Sequence, residues 1–189
     1  MEFDWLTFDG DPIAALQMAG ETRDLIVTGH DTGFYGNVRE QISETLAQLL
    51  LTTPRPVVIC GDEATAGPDL LIVYDGSVPA MKAIQMFALM GIGRGRHLYV
   101  LSIDSDKELA ARKAKAAASY LRAHEYEVEE IAIASHVRPA DVLRIEVIGR
   151  KIGTLVIGAY GNRGFREALF GSTTTKMVEN PPCALYVYH

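Results

Sequence analysis

Short apolar runs, separated by stretches of helical periodicity, narrow the folds open to this chain. The runs are Leu25–Val27, Pro56–Cys60, Leu70–Tyr74, His97–Ile103, Thr154–Ile157 and Ala184–Tyr188. Continuous apolar runs of this length read as strands buried in a sheet. Between them lie helix-patterned segments with recognisable starts. Asp11–Pro12 supplies an N-cap and a proline at the first helical position. Asn37 with Glu40, and Ser105 with Glu108, have capping-box spacing. Inner stripes follow: Ile42, Leu46, Leu49 and Leu50; Ala80, Ala83, Ile84, Phe87 and Gly91; Ala110, Ala114, Ala117, Ala118 and Leu121; Val142, Leu143, Val147 and Ile148 behind Pro139. Tyr126–Ala134 alternates enough for a strand near an edge, and Met1–Phe8, with mixed apolar and acidic residues, is expected as a further strand. Strands alternating with helices argue an α/β fold built on a parallel sheet.

Composition bounds the function. The 189 residues are 48% hydrophobic, ample for a core, and carry a net charge of −6. No basic field is present to recruit nucleic acid or an anionic membrane, and no apolar run is long enough to span a bilayer. Cys60 and Cys183 stand apart in apolar runs, without CxxC spacing, and read as buried thiols of a cytoplasmic protein. The five histidines lack metal-ligand spacing, and no catalytic arrangement or metal site is expected. Gly91-Ile92-Gly93-Arg94-Gly95 has the glycines of a dinucleotide fingerprint but follows a helix and precedes a strand, so it reads as a helix stop.

The informative stretch is Gly158–Ser172, GAYGNRGFREALFGS. It joins the apolar run Thr154–Ile157 to a helix over Thr173–Glu179. A strand, a glycine-bearing loop and a helix start are the parts of a phosphate cradle. Free N–H groups and the dipole at a helix start attract anions, and glycines let backbone come close to them. On the residues alone Ser172 serves equally as an N-cap or as a phosphate ligand. Arg163 and Arg166, inside the loop, suit phosphate oxygens, although a solvated surface arginine is the ordinary outcome. Asp75 closes the run Leu70–Tyr74 and precedes Gly76-Ser77. A carboxylate there accepts hydrogen bonds from ribose hydroxyls, or caps the helix that begins near Pro79.

The spacing of Gly158, Gly161 and Gly171-Ser172 resembles the G-x2-G-x9-G-[ST] loop of the universal stress protein family. Leu70 to Ser77 is similar to the family's first strand, which ends in Asp-Gly-Ser. The resemblance spans about Asp69 to His189. It implies a five-stranded Rossmann-like module that binds an adenine nucleotide, ATP or else AMP or ADP, with Mg²⁺ on the phosphates. It carries the nucleoside contact onto Asp75, and the phosphate contacts onto Gly158, Gly161, Gly171 and Ser172. Arg163 and Thr173 are further candidates beside them. Ile103 falls where the family offers main-chain contacts to adenine; core packing explains that residue equally well. The implied role is stress response or signalling by a binding protein. A slow ATPase or phosphoryl-transfer enzyme on the same loop is one alternative, and a structural dimer-forming member with an empty site is another.

An internal repeat runs alongside. Asp11-Pro12 through Cys60 parallels Arg138-Pro139 through Val187: a proline-started helix, an apolar strand ending in glycine, a loop, a helix and a proline-flanked strand. Residues 1–65 therefore read as the back half of a module, and residues 66–189 as a complete one, with a linker at Gly61–Pro68. Tandem two-module members of the family have this shape with a full first module. The first copy has Thr32 where the second glycine is due and no Gly-Ser pair, so it is expected to bind no nucleotide. In the family modules pair through their last strands, so Pro56–Cys60 is expected to lie antiparallel to Ala184–Tyr188. The uncovered side of the half-module predicts a homodimer or a higher homo-oligomer.

Overall fold

A computed structural model describes residues 3–30, 39–61, 67–159 and 172–189. The elements run α1 (Pro12–Gly20), β1 (Ile26–Gly29), α2 (Arg39–Thr52), β2 (Val57–Cys60), β3 (Asp69–Val73), α3 (Val78–Leu89) and β4 (Leu98–Asp104). They continue through α4 (Lys107–Ala123), β5 (Val128–Ala134), α5 (Pro139–Gly149), β6 (Ile152–Gly158), α6 (Ser172–Glu179) and β7 (Ala184–Tyr188). All strands join one seven-stranded sheet in the order β1-β2-β7-β6-β3-β4-β5. The expected five-stranded sheet is thus extended by two strands. Every neighbouring pair is parallel except β2 and β7, which run antiparallel with Val58 opposite Tyr186. That is the expected junction. It places α1-β1-α2-β2 and α5-β6-α6-β7 on either side of a local two-fold at the β2/β7 seam.

Two apolar layers sandwich the sheet. On one face Leu46, Leu49 and Leu50 of α2, Leu143 and Val147 of α5, and Met177 and Val178 of α6 pack against Val57, Ile59, Leu155, Leu185 and Val187. On the other, Ile84 and Phe87 of α3 and Ala114, Ala117, Ala118 and Leu121 of α4 pack against Leu70, Ile72, Leu98, Val100, Val156 and Tyr186. The alanines of α4 bury as their spacing predicts and let that helix lie close to β4 and β5. Strands covered on both faces must be apolar throughout. Leu70, Leu71 and Ile72 of β3 and Leu155, Val156 and Ile157 of β6 meet that demand. Strand β5, at one end of the sheet, has exposed glutamates at 129 and 130, as an edge strand should.

Several local expectations change. Residues 3–8 form no strand: Phe3, Trp5 and Leu6 are exposed, Trp5 at 95%, and extended backbone with no sheet neighbour gains no ladder bonds. The cap of α4 is Asp106, whose Oδ1 accepts from the N–H groups of Glu108 and Leu109, while Ser105 donates to Asp104. Helix α3 ends before Gly91, whose φ of +66° belongs to the turn and not to the inner stripe. On α5, Ile148 points to solvent and Ala140 replaces it inside. Asn37 and the Ile42 side chain fall outside what is described. Cys183 is buried, and burial pushes its thiol up to about 12; Cys60 is half-buried, and both are free thiols.

Candidate functional site

The strand order reverses direction at β3. From it β4 and β5 proceed to one side, while β6 and β7 lie on the other. In open parallel sheets this switch point, at the carboxyl ends of the strands, is where a crevice forms. Asp75, just past β3, and Gly158, the last residue of β6, belong to adjacent parallel strands and are brought together there. Ile103, near the end of β4, is partly buried and packs against the core on the α5 side. Ser172 opens α6, with Thr173 half-buried and Thr174 buried behind it. Gly161, Arg163, Arg166 and Gly171 lie outside the described residues.

The turn after β3 is tightly specified. Asp75 Oδ1 accepts from the Ser77 N–H at 2.8 Å, and the residue stays exposed. Ser77, not Asp75, caps α3: its Oγ accepts from the Ala80 N–H at 3.3 Å. The capping explanation for Asp75 therefore goes to Ser77. Gly76 has φ +87°, a conformation that costs an L side chain strain. Below the turn, the buried Ser102 hydroxyl donates to the Tyr74 carbonyl at 2.6 Å and ties the ends of β3 and β4 together.

Gly158 serves space rather than backbone angle. A Cβ there would meet the backbone of α3's first turn: the Ala80 nitrogen, Pro79 C at 2.6 Å and Ala80 Cα at 2.7 Å. Its bareness lets the start of α3 sit against the end of β6.

Two residues that the sequence did not single out complete this end of the sheet. Asp104, the last residue of β4, accepts from Lys113 Nζ at 2.8 Å and from the Asp106 N–H at 3.1 Å. The Lys113 hydrogen bond first, and the Asp106 N–H next, hold the Asp104 carboxyl down at about 2, against an ordinary 3.8. A depressed carboxyl stabilises the fold above its unfolded value, and that contribution disappears as pH falls through about 2. Lys113 comes from α4, one turn past the buried Ala110, and its Cε lies 3.5 Å from where a Gly76 Cβ would be. Its signal in the sequence was slight: a lysine beside a stripe of alanines.

A doubly wound, mostly parallel sheet flanked by helices defines a Rossmann-like α/β protein. The model of the universal stress protein family matches residues 69–189, and the chain belongs to that family. The fold agrees. A universal stress protein from Archaeoglobus fulgidus DSM 4304 superposes with a TM-score of 0.66 at 19% identity, over 95% of this chain and 65% of that one. The chain thus spans about two thirds of the length of that relative. A functionally unknown protein from Pseudomonas aeruginosa PAO1 behaves alike, with TM-score 0.60, 19% identity and coverage of 96% and 68%. A universal stress protein solved in complex with cAMP matches 66% of this chain and 98% of its own, at TM-score 0.52 and 15% identity. No curated protein matches the chain in sequence. No helix is long and apolar enough to cross a membrane among the described residues.

Proposed function

We propose that this chain binds an adenine nucleotide, ATP first among them, in the crevice between the ends of β3 and β6, and acts in stress response or signalling. The observation that carries the reading is the placing of exposed Asp75 and of Gly158 at the ends of adjacent parallel strands, at the switch point. The residues fit such a ligand. Asp75 is solvent-facing, its carboxylate can accept from ribose hydroxyls, and α6 starts at Ser172 behind a glycine-bearing loop. Gly158, Gly161, Gly171, Ser172 and Thr173 would hold the phosphates, with Arg163 near them and the Ile103 backbone toward the base. Mg²⁺ would add charge neutralisation on the phosphates when bound. The cAMP complex of a relative supports an adenine ligand. Two cysteines far apart in the sequence, without CxxC spacing, accord with a cytoplasmic setting.

The chain's own residues favour binding over turnover. Phosphoryl transfer relies on a metal, a positioned nucleophile and a charge clamp, and in the sequence only the loop donors and Arg163 or Arg166 answer to those parts. Phosphate release from ATP is therefore expected to be far slower than an ordinary enzyme's rate, about 10 per second. Release at that rate, abolished in Ser172→Ala, would replace this reading with the enzyme. Nucleotide identified by mass spectrometry in the purified protein, and lost in Gly171→Val, is the result expected of a binding protein. Protein that carries no nucleotide and takes up none would leave the structural, empty-site alternative standing.

The same proposal treats residues 1–65 as a degenerate half-module and residues 66–189 as the binding module. Strand β1 ends the sheet, Val27 on it is 65% exposed, and Phe3, Trp5 and Leu6 lie open nearby in sequence. Such surface invites association. A homodimer or larger assembly with residues 1–65 in its interface is the expected result of light scattering at roughly tens of micromolar, where weak association becomes visible. A monomer at that concentration refutes it.

A further inference from the structure

The Asp104–Lys113 pair joins the end of β4 to α4. Its side chains are only 18% and 24% exposed, and an ion pair withdrawn from water returns little net stability over an apolar pair of the same size. Around it, α4 otherwise buries alanines and leucine. The Lys113 stem lies beside the turn that presents Asp75. Asp104 is fixed to its own loop by the Asp106 N–H and Ser105 Oγ, and to Lys113 by the 2.8 Å bond. The Lys113 methylenes then lie over Gly76, with Cε at 3.5 Å and Cδ at 3.9 Å from the Cβ position. Gly76 sits between Asp75 and Ser77, whose own hydrogen bond closes the turn. The ion pair therefore holds the Lys113 stem, from the end of β4 through α4, close beside Gly76, the residue bent into the left-handed region next to Asp75.

We propose that Lys113, anchored by Asp104, is a positioning residue: it braces the Asp75-Gly76-Ser77 turn and so aims the Asp75 carboxylate at the ligand's ribose. This rests on the nucleotide-binding reading above. It adds that ribose recognition depends on a residue two elements away that need not touch the ligand. Arginine at 113 keeps both the stem over Gly76 and the charge toward Asp104. Methionine keeps the stem and loses the anchor.

The test is calorimetric titration of the full chain with ATP and with 2′,3′-dideoxy-ATP, which lacks the hydroxyls a carboxylate would accept from. The proteins are the wild type, Asp75→Ala, Lys113→Met, Lys113→Arg, Asp104→Asn and the double variant Asp75→Ala/Lys113→Met. A hydrogen bond to a charged group corresponds to roughly a 10- to 100-fold preference, so the wild type should favour ATP by about that ratio. Lys113→Met and Asp104→Asn should bring the ratio toward one, as Asp75→Ala does, and Lys113→Arg should restore it. The double variant should be no worse than Asp75→Ala alone, since both act through one carboxylate. Lys113→Met that keeps the wild-type ratio, or losses that add in the double variant, overturn the proposal and leave nucleotide binding intact. A wild type that binds ATP and the dideoxy form equally also overturns it. A wild type that binds neither overturns the underlying reading as well. If Lys113→Met unfolds, Asp104→Asn and Lys113→Arg carry the same comparison.

Discussion

Gly158→Val is expected to lower stability by several kcal/mol and to abolish nucleotide binding in whatever folded protein remains. The atoms a Cβ would strike are backbone atoms of Pro79 and Ala80, at the first turn of α3. Backbone in a packed helix start cannot swing aside as a side chain can. Relief requires α3 and β6 to separate, and both are seated on the fully buried Val156 and Leu70 layer. Overpacking of a dense core costs about 1–3 kcal/mol and more where no side chain can yield. Urea midpoints measure the loss. Even Gly158→Ala should show it, because the collision is with the first side-chain carbon; an unchanged midpoint for Gly158→Ala would contradict the packing described here.

Phe87→Ala should have a comparable effect on stability alone. Phe87 is fully buried on α3, with Tyr186 edge-on at 5.5 Å and Tyr126 tilted at 5.9 Å. Removing the ring takes away its transfer free energy and leaves a cavity between two tyrosines, about 3–5 kcal/mol in all. For a chain of this size that is a fall in Tm of roughly 6–20 °C, readable by circular dichroism. The tyrosines cannot close the gap freely, since the Tyr126 hydroxyl donates to the Ile92 carbonyl at 3.0 Å and the Tyr186 hydroxyl to Met90 Sδ at 3.7 Å. A loss below about 1 kcal/mol would mean the α3 face repacks far more easily than close-packed interiors do.

Long periodic segments were the most legible from sequence. The alanine stripe of α4 and the apolar runs of β3 and β6 state their own burial, because no other arrangement hides so many apolar side chains at those periods. The β2–β7 junction was legible only through the internal repeat and the family's habit of joining last strands; spacing alone holds no information on which strands meet. Residues 3–8 misled because a mix of apolar and acidic residues records a capacity for strand, while a strand also needs a neighbour to bond. The cap of α4 went to Asp106 rather than Ser105 since a carboxylate one residue nearer satisfies two N–H groups at once. At the site, Asp75 and Gly158 stood out by motif. Lys113 did not, because its placement beside Gly76, 37 residues earlier, comes from the packing of α4 and leaves no mark in the spacing of the sequence.

The central claim is that the β3/β6 switch point holds an adenine nucleotide, and titrating ATP into the wild type and into Asp75→Ala by calorimetry tests it most directly. Saturable binding of one ATP per chain, weakened roughly tenfold or more in Asp75→Ala, in line with loss of a charged hydrogen bond, is the predicted result. No heat of binding to the wild type at millimolar ATP, where even a ligand worth about 4 kcal/mol would register, would contradict it.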